Sequence, residues 1–397
     1  MNQPTHTPTS KTTNSTSSTT STAASLRVVV AAGGTAGHLA PALAVADRLR
    51  DAGHLVTFVT SMRPGDEQLV AARGYGLHKI NVVSLPRKLG PGQLGAVVTA
   101  VRAVWRARRL VRQLAPNVVL AGGGFVSTPA AVAAGWKRIP VVVTEADAHL
   151  GLANRISTRR AARLCTAYPL PGYPRKQWVT GRPVTPDFAV AGADRAGARR
   201  ALGISSDAMV LLVTTGSGGA TRVNRTVREA FATDTTMSVG GRQLVVLHVT
   251  GRRDFAEIMT GIEPHAGYRI IEFADNMPQL IAAADLVLSR GGGSVFEMAA
   301  AGRACVLVPF PTATGNHQTK NAAHVASSGG AVVIADADLD VARVRGIVGE
   351  LLADSTGDQR RHAMEQAITT FARPMADLEI AAAIEQLGAA HERRAAR

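Results

Sequence analysis

The residues best equipped for chemistry in this chain sit in and just after four glycine clusters. The first reads Ala-Ala-Gly-Gly-Thr-Ala-Gly-His over residues 31–38 and follows the apolar run 26–30. A β-branched run, a glycine turn and then a helical pattern bring backbone N–H groups close to an anion, because glycine has no Cβ to obstruct the approach. His38 stands at the mouth of the predicted helix, where an imidazole can touch a phosphate or a reacting hydroxyl; the alternative is a capped turn with a surface histidine. The spacing is not Gly-x-Gly-x-x-Gly, and no Gly-Lys-Ser/Thr occurs, so the dinucleotide fingerprint and the Walker loop are both excluded.

Three more clusters follow apolar runs. Gly122, Gly123 and Gly124 follow 117–121; Gly216, Ser217, Gly218 and Gly219 follow 209–215; Gly291, Gly292, Gly293 and Ser294 follow 285–289 and lead into a helix beginning near Val295. Glu297 lies about one turn into that helix. Its carboxylate can accept both hydroxyls of a ribose, or it can compensate the helix dipole, a role worth ~0.3–1 kcal/mol. The polar stretch 314–321 follows a buried strand, and its Gln318 and Asn321 can hydrogen-bond the hydroxyls of a sugar.

These loops need a scaffold that points them at one place. Strands are predicted at 26–32, 55–60, 78–83, 117–121, 139–144 and 163–167, and again at 209–214, 243–249, 268–272, 285–289, 304–308 and 331–334. Short β-rich runs separated by helical patterns predict parallel sheets wound by crossover helices. The pattern restarts near Asp207, and residues 183–206 lack strong periodicity. The expected organisation is a tail over 1–25, a first domain over 26–186, a linker over 187–206, a second domain over 207–372, and a C-terminal helix and basic tail over 373–397. In such α/β domains ligands bind beyond the carboxyl ends of strands, and each glycine cluster is at one.

Composition narrows the partners. A chain of 397 residues accommodates about two domains. Lys+Arg 44 against Asp+Glu 29 gives a net charge of +15, which implies a phosphate-bearing partner or an anionic surface. Aromatic residues make up only 4%, poor material for stacking bases, and no nucleic-acid-binding motif is present. Cys165 and Cys305 fall in apolar strands and read as reduced core thiols of a cytoplasmic protein, with no zinc-like spacing. Residues 1–25 are Ser/Thr-rich, without the apolar core of a signal peptide, and are expected to be a disordered tail. The predicted helix 93–114 carries an apolar stripe (Leu94, Val97, Val98, Val101, Val104, Val111, Leu114) with Arg102, Arg106 and Arg109 on another face. That stripe either packs on the sheet or, aided by Arg87 and Lys88, faces anionic lipid. The segment 391–397 is expected to be a frayed basic tail.

The stretches GGTAGHLAPALAVADRL, GGGFVSTPAAVAA, IPVVVTEADAHLGLANR, GSGGATRVNR, FADNMPQLIAAADLVLSR and HQTKNA together resemble the MurG family over residues 26–335. Members transfer N-acetylglucosamine from its UDP derivative to a lipid-linked muramoyl-pentapeptide. The resemblance implies a GT-B fold: two Rossmann-like, doubly wound parallel-sheet domains facing a central cleft, with the UDP-sugar on the second and acceptor and membrane contacts on the first. It implies further that Thr35, Ala36 and Gly37 line the diphosphate side, and that His38 and Glu145 are the candidate catalytic bases. Asn154, Asn224 and Ser217 match polar positions near the site, and Ala274 the residue whose backbone reads the uracil. Arg290, Gly292, Gly293, Ser294, Glu297, Gln318 and Asn321 surround the donor. Implied partners are UDP-N-acetylglucosamine, a polyprenyl-diphosphate-linked acceptor, the anionic cytoplasmic face of the cell membrane, to which it would bind peripherally, and other cell-wall synthesis proteins. No cofactor or metal is implied.

The chain departs from the family pattern at four places. Thr144 and Asp147 stand where a His-Glu-x-Asn motif has His and Asn; Thr185 replaces an arginine, with Arg182 nearby; and the loop from Arg290 to Glu297 is one residue shorter. The implied reaction is single displacement with inversion, a base deprotonating the acceptor hydroxyl as UDP leaves. His38 is favoured as base because it titrates near neutrality, whereas Glu145 needs burial to raise its pKa. Asp-x-Asp at 336–340 precedes a predicted helix over 341–352 and reads as N-capping, not a metal site. The same fold with another lipid or small-molecule acceptor, or a nucleotide-binding protein without turnover, are the rival readings.

Overall fold

The structure, a computed structural model, describes residues 25–82, 94–216, 218–263 and 265–397. The expected tail apart from Ser25, together with Arg87, Lys88 and Ser217, lies outside them. Strands β1 (Arg27–Ala31), β2 (Leu55–Thr60), β3 (Gly76–Lys79), β4 (Val118–Ala121), β5 (Val141–Glu145), β6 (Arg163–Thr166) and β7 (Gln177–Val179) form a parallel sheet in the order 3-2-1-4-5-6-7. A second sheet contains β8 (Met209–Thr214), β9 (Ser238–Val239), β10 (Arg242–Val249), β11 (Tyr268–Ile271), β12 (Leu286–Ser289), β13 (Cys305–Leu307) and β14 (Ala331–Val333), ordered 11-10-8-12-13-14. Among the strands described, only β9 is antiparallel, beside β10.

Central strands such as β4 and β8 are buried along their whole length, because helices cover both faces of each sheet. Apolar clusters accordingly flank the first sheet on two sides, around Leu120 and Val142 on one and Val119 and Val143 on the other. Strand order reverses between β1 and β4 in the first sheet and between β8 and β12 in the second. All four glycine clusters follow these four strands. Each pair therefore opens at a topological switch point, where adjacent crossovers leave in opposite directions and a crevice forms.

The structure differs from the sequence reading, or adds to it, at four points. First, β7 and β9 were unpredicted: they have three and two residues, and β7 is a partly exposed edge without an apolar run. The third predicted strand also begins earlier, at Gly76. Second, the expected linker contains two helices, Asp187–Gly192 and Arg195–Ala201. Their Ala, Gly and Arg residues give little apolar periodicity; Asp194 caps the second by accepting from Gly197 N at 2.7 Å, and Arg199 binds Asp285 at 2.5 Å.

Third, the helix Ala376–Ala395 continues through most of the segment expected to fray. It returns to the first domain, where Ile380 and Ile384 enter the core and Arg48 Nε binds Asp377 at 2.7 Å. Fourth, the helix Leu94–Leu114 buries Ala103, Ala107 and Val111, while Val97, Val98, Val101 and Trp105 are exposed at 45, 47, 51 and 56%. Its stripe thus packs at one end only. Among the described residues, no helix is long and apolar enough to cross a membrane.

Candidate active site in the interdomain cleft

The loop after β1 feeds the helix Ala36–Asp51, with Thr35 in extended conformation as its N-cap residue. Thr35 O accepts from His38 N and Leu39 N at 3.1 and 3.2 Å. The amides of Ala36 and Gly37 lie in the first turn and have no intrahelical acceptor, so they remain for an anion. Thr35 Oγ1 lies 3.0 Å from His38 Nδ1. The His38 ring rests on Gly123, whose φ is +102°, and Gly124 at +77° backs directly onto Gly33 O; a side chain at either position would collide. Burial lowers the pKa of His38; Asp147 and Asp66 pull it up, and Arg182 and His317 push it down.

Glu145 ends β5 and is buried. Its Oε1 accepts from Asp147 N at 3.2 Å, and its Oε2 accepts from Gly151 N at 3.2 Å and Asn154 Nδ2 at 3.0 Å. Burial, helped by Asp147, pushes its carboxyl up to about 7 against those hydrogen bonds. Asn154 is itself buried and also donates to Thr144 O at 3.0 Å. Asn154, expected near the donor, supports Glu145 from behind. His38 and Glu145 line one small cavity with Gly37, Gly122, Arg182 and Ile380.

In the second domain the helix Ser294–Ala300 follows the glycine loop. Ser294 Oγ is 3.4 Å from Ser289 Oγ, a contact that ties the helix start to β12. Burial raises the pKa of Glu297, with Arg182 opposing it, and its carboxyl has no hydrogen-bond partner among the described residues. Gln318 Oε1 accepts from Phe310 N at 2.9 Å, which turns its Nε2 toward Gly292. Ala274 follows β11 and packs half-buried at the edge of the core. Thr185 O accepts from Phe188 N at 3.3 Å at the head of the helix Asp187–Gly192.

Three other residues expected near the donor hydrogen-bond within the protein. Asn224 is 0% exposed: Nδ2 donates to Thr250 O and Asp254 Oδ2 at 2.8 and 2.9 Å, and Oδ1 meets His248 Nε2 at 3.1 Å. It braces the second glycine loop from inside, since Gly219 abuts Thr250 O and Asp254. Burial pushes the His248 pKa down to about 3, which keeps this network neutral at the imidazole. Arg290 is buried, bonded to Val308 O at 3.0 Å and paired with Asp336 at 2.5 Å. The Asp-x-Asp segment therefore divides its work: Asp336 neutralises Arg290, and Asp340 caps the helix Val341–Leu352 by accepting from Arg343 N at 2.7 Å.

Asn321 is the third. Buried, it donates to Asp147 Oδ1 at 3.0 Å and Gly291 O at 3.1 Å, and accepts from Ala148 N at 2.8 Å. Its amide joins the two domains. Arg182 lies at the same cleft: Nη2 donates to Gly37 O at 3.0 Å within the first domain, and its guanidinium lies against Gly293 of the second. Tyr168 packs edge-on to Phe296 at 5.3 Å between ring centroids, an apolar contact between the domains.

Residues 28–166 match the glycosyltransferase family 28 N-terminal domain, and residues 210–378 match its C-terminal domain. The chain belongs to glycosyltransferase family 28. Among family members, it is similar to a Mycobacterium leprae protein named UDP-N-acetylglucosamine–N-acetylmuramyl-(pentapeptide) pyrophosphoryl-undecaprenol N-acetylglucosamine transferase, 40% identical over 83% of this chain and 82% of that one. The like-named Nocardioides protein is 37% identical over 91% of this chain and 98% of the other. Among solved structures, Acinetobacter baumannii MurG superposes with a TM-score of 0.71 at 25% identity, over 90% of this chain and 99% of that one. The glycosyltransferase of kitacinnamycin, at 18% identity and a TM-score of 0.64 over 91% and 99%, shares the fold. Both sheets and the cleft between them are those of a GT-B glycosyltransferase.

Sequence reasoning missed several supports of this family 28 site. Asp66 Oδ2 accepts from Gly34 N at 2.8 Å and Ser61 Oγ at 2.6 Å and so fixes the first glycine loop. His248, Tyr268 and Asp254 support the second. No local pattern marks them, because each acts through a partner distant in sequence.

Proposed function

We propose that this protein is an inverting transferase that moves N-acetylglucosamine from UDP-N-acetylglucosamine to polyprenyl-diphosphoryl-N-acetylmuramoyl-pentapeptide. The observation that carries this reading is the opposition, across one cleft, of two kinds of group. On the first domain is an oriented, half-buried imidazole at a helix N-terminus; on the second, a glycine loop followed by the Glu297 carboxyl and the Gln318 Nε2, which have no hydrogen-bond partner among the described residues. Glu297 suits the ribose hydroxyls, Gln318 Nε2 the sugar hydroxyls, and Ala274 the edge of the base.

His38 serves as the general base. With its proton on Nδ1, donated to Thr35 Oγ1, Nε2 keeps a lone pair for the acceptor hydroxyl proton. The hydroxyl oxygen then attacks the anomeric carbon as the bond to the diphosphate oxygen breaks on the opposite face. Charge developing on the leaving diphosphate meets the amides at the helix starts and the Arg182 guanidinium. Glu145, with both oxygens accepting hydrogen bonds, is better suited to hold the loop after β5 than to take that proton.

The acceptor is lipid-linked, and the exposed face of the helix Leu94–Leu114 suits an anionic membrane surface. Val97, Val98, Val101 and Trp105 offer apolar contact beside Arg102, Arg106 and Arg109, and Arg108 lies over Trp105 and Trp136 at 5.4 and 5.9 Å. We place the protein peripherally on the cytoplasmic face, where further cell-wall synthesis proteins would be neighbours. UDP release tests the reading: release should depend on the muramoyl lipid. Release without it, or none with it, would contradict the assignment.

A further inference from the structure

We propose that Asn321 and Asp147 form the latch that closes the two domains over the site, with Asn321 acting as the positioning residue that aligns the Glu145 loop with the donor loop. The inference deepens the reading above and rests on it for its kinetic arm. Asn321 sits in the helix His317–Ser327 of the second domain and is 1% exposed. Two of its hydrogen bonds cross the cleft, to Asp147 Oδ1 at 3.0 Å and from Ala148 N at 2.8 Å. Its third, to Gly291 O at 3.1 Å, attaches the same amide to the donor-side glycine loop.

Residues 147 and 148 belong to the segment that Glu145 holds, because Asp147 N donates to Glu145 Oε1 at 3.2 Å. One amide thus fixes the distance between the catalytic-domain loop and Gly291. The three partners give the contact its polarity. Ala148 N only donates and Gly291 O only accepts, so Oδ1 of Asn321 must face Ala148 and Nδ2 must face Gly291 and Asp147, whose carboxylate only accepts. The resulting element has two states. With the domains together every polar atom of the Asn321 side chain is paired; with them apart the same atoms can be hydrated, which makes the closure reversible.

Asn321→Asp places two carboxylates face to face and removes both donors. Exchanging the pair, Asp147→Asn with Asn321→Asp, restores one donor to one carboxylate across the cleft. For Asn321→Asp we expect kcat to fall about tenfold or more, UDP affinity to stay within about threefold, and the exchange to recover about half of the loss on a logarithmic scale. Small-angle scattering of the UDP-bound protein should show a larger radius of gyration for Asn321→Asp, reversed in the exchanged pair. Should Asn321→Asp not fold, Asp147→Ala gives the same readouts from a half-buried loop position. Unchanged kcat and radius, or equal losses in the single and exchanged variants, would overturn the latch. Wild-type protein that fails to transfer sugar while the scattering still responds would instead overturn the assigned reaction and leave the latch standing.

Discussion

Arg182 takes the carbonyl that Pro41 cannot use. Pro41 lies inside the helix Ala36–Asp51 and has no N–H to give to Gly37 O, and Arg182 Nη2 donates to that oxygen at 3.0 Å instead. The proline therefore leaves open the acceptor that ties Arg182 to the first glycine loop, with its guanidinium against Gly293 of the second domain. Pro41→Ala supplies the missing amide, which competes with Arg182. The variant should melt higher, by ~1–3 kcal/mol of added stability, yet lose activity because the arginine is released. Calorimetry with steady-state kinetics checks this, and a fully active, stabilised variant would contradict it.

His38 should carry most of the base catalysis. His38→Ala is expected to lower kcat ~100- to 10,000-fold, with UDP affinity nearly unchanged. Thr35→Val removes the tautomer-fixing hydroxyl and should cost ~3- to 10-fold in kcat. Single-turnover rates alongside calorimetric UDP titration separate the two effects; unchanged turnover in His38→Ala would remove it as base.

Glu145 gives a stability signature. Its carboxyl, pushed from 4.5 to about 7, keeps a proton in the folded state that the unfolded chain has already lost. The penalty for burying its charge is therefore absent below the unfolded value and complete above the folded one. The stability gap between wild type and Glu145→Ala should consequently shift against wild type by ~3 kcal/mol between about pH 4.5 and about pH 7.5, whatever constant cost the truncation carries. Urea unfolding across that range would reveal it, and a pH-independent gap would refute it.

Asp147 tunes both titrating groups. Its negative charge raises the pKa of His38 and of Glu145, while Arg182 and His317 lower that of His38 and Asp66 raises it. Asp147→Asn still accepts a hydrogen bond from Asn321 but removes the charge. The acid limb of the kcat profile, where His38 becomes protonated, should move to lower pH. An unmoved limb, or one moved upward, would contradict the role.

The exposed face of the helix Leu94–Leu114 should control membrane attachment without touching the nucleotide site. Val101→Glu combined with Trp105→Glu is expected to weaken binding to anionic vesicles about tenfold or more and to leave UDP affinity unchanged. Vesicle sedimentation at low and high salt measures this. Equal retention on vesicles would place the lipid contact elsewhere.

What could be read in the sequence follows from local physics. Strands such as β4 and β8 are covered on both faces, so each is an unbroken apolar run; β7 and β9 are too short for any pattern. The glycine clusters were legible because close backbone approach demands glycine wherever it occurs. Partnerships were not. Arg290 and Asp336 are 46 residues apart, Asn321 and Asp147 are 174 apart, and Gly34 and Asp66 are 32 apart. Consequently Asn154, Asn224, Asn321 and Arg290 read as residue types suited to sugar and phosphate contacts, and the partners through which they also hold the site together could not be read. The half-exposed helix Leu94–Leu114 was ambiguous for the converse reason: its apolar stripe is longer than the surface it packs on.

The central claim is tested most directly by transfer of labelled N-acetylglucosamine from its UDP derivative to purified polyprenyl-diphosphoryl-muramoyl-pentapeptide in detergent. The account predicts a labelled lipid product that requires both substrates, with inverted anomeric configuration and near-total loss in His38→Ala. Tight UDP binding with no labelled lipid would contradict it.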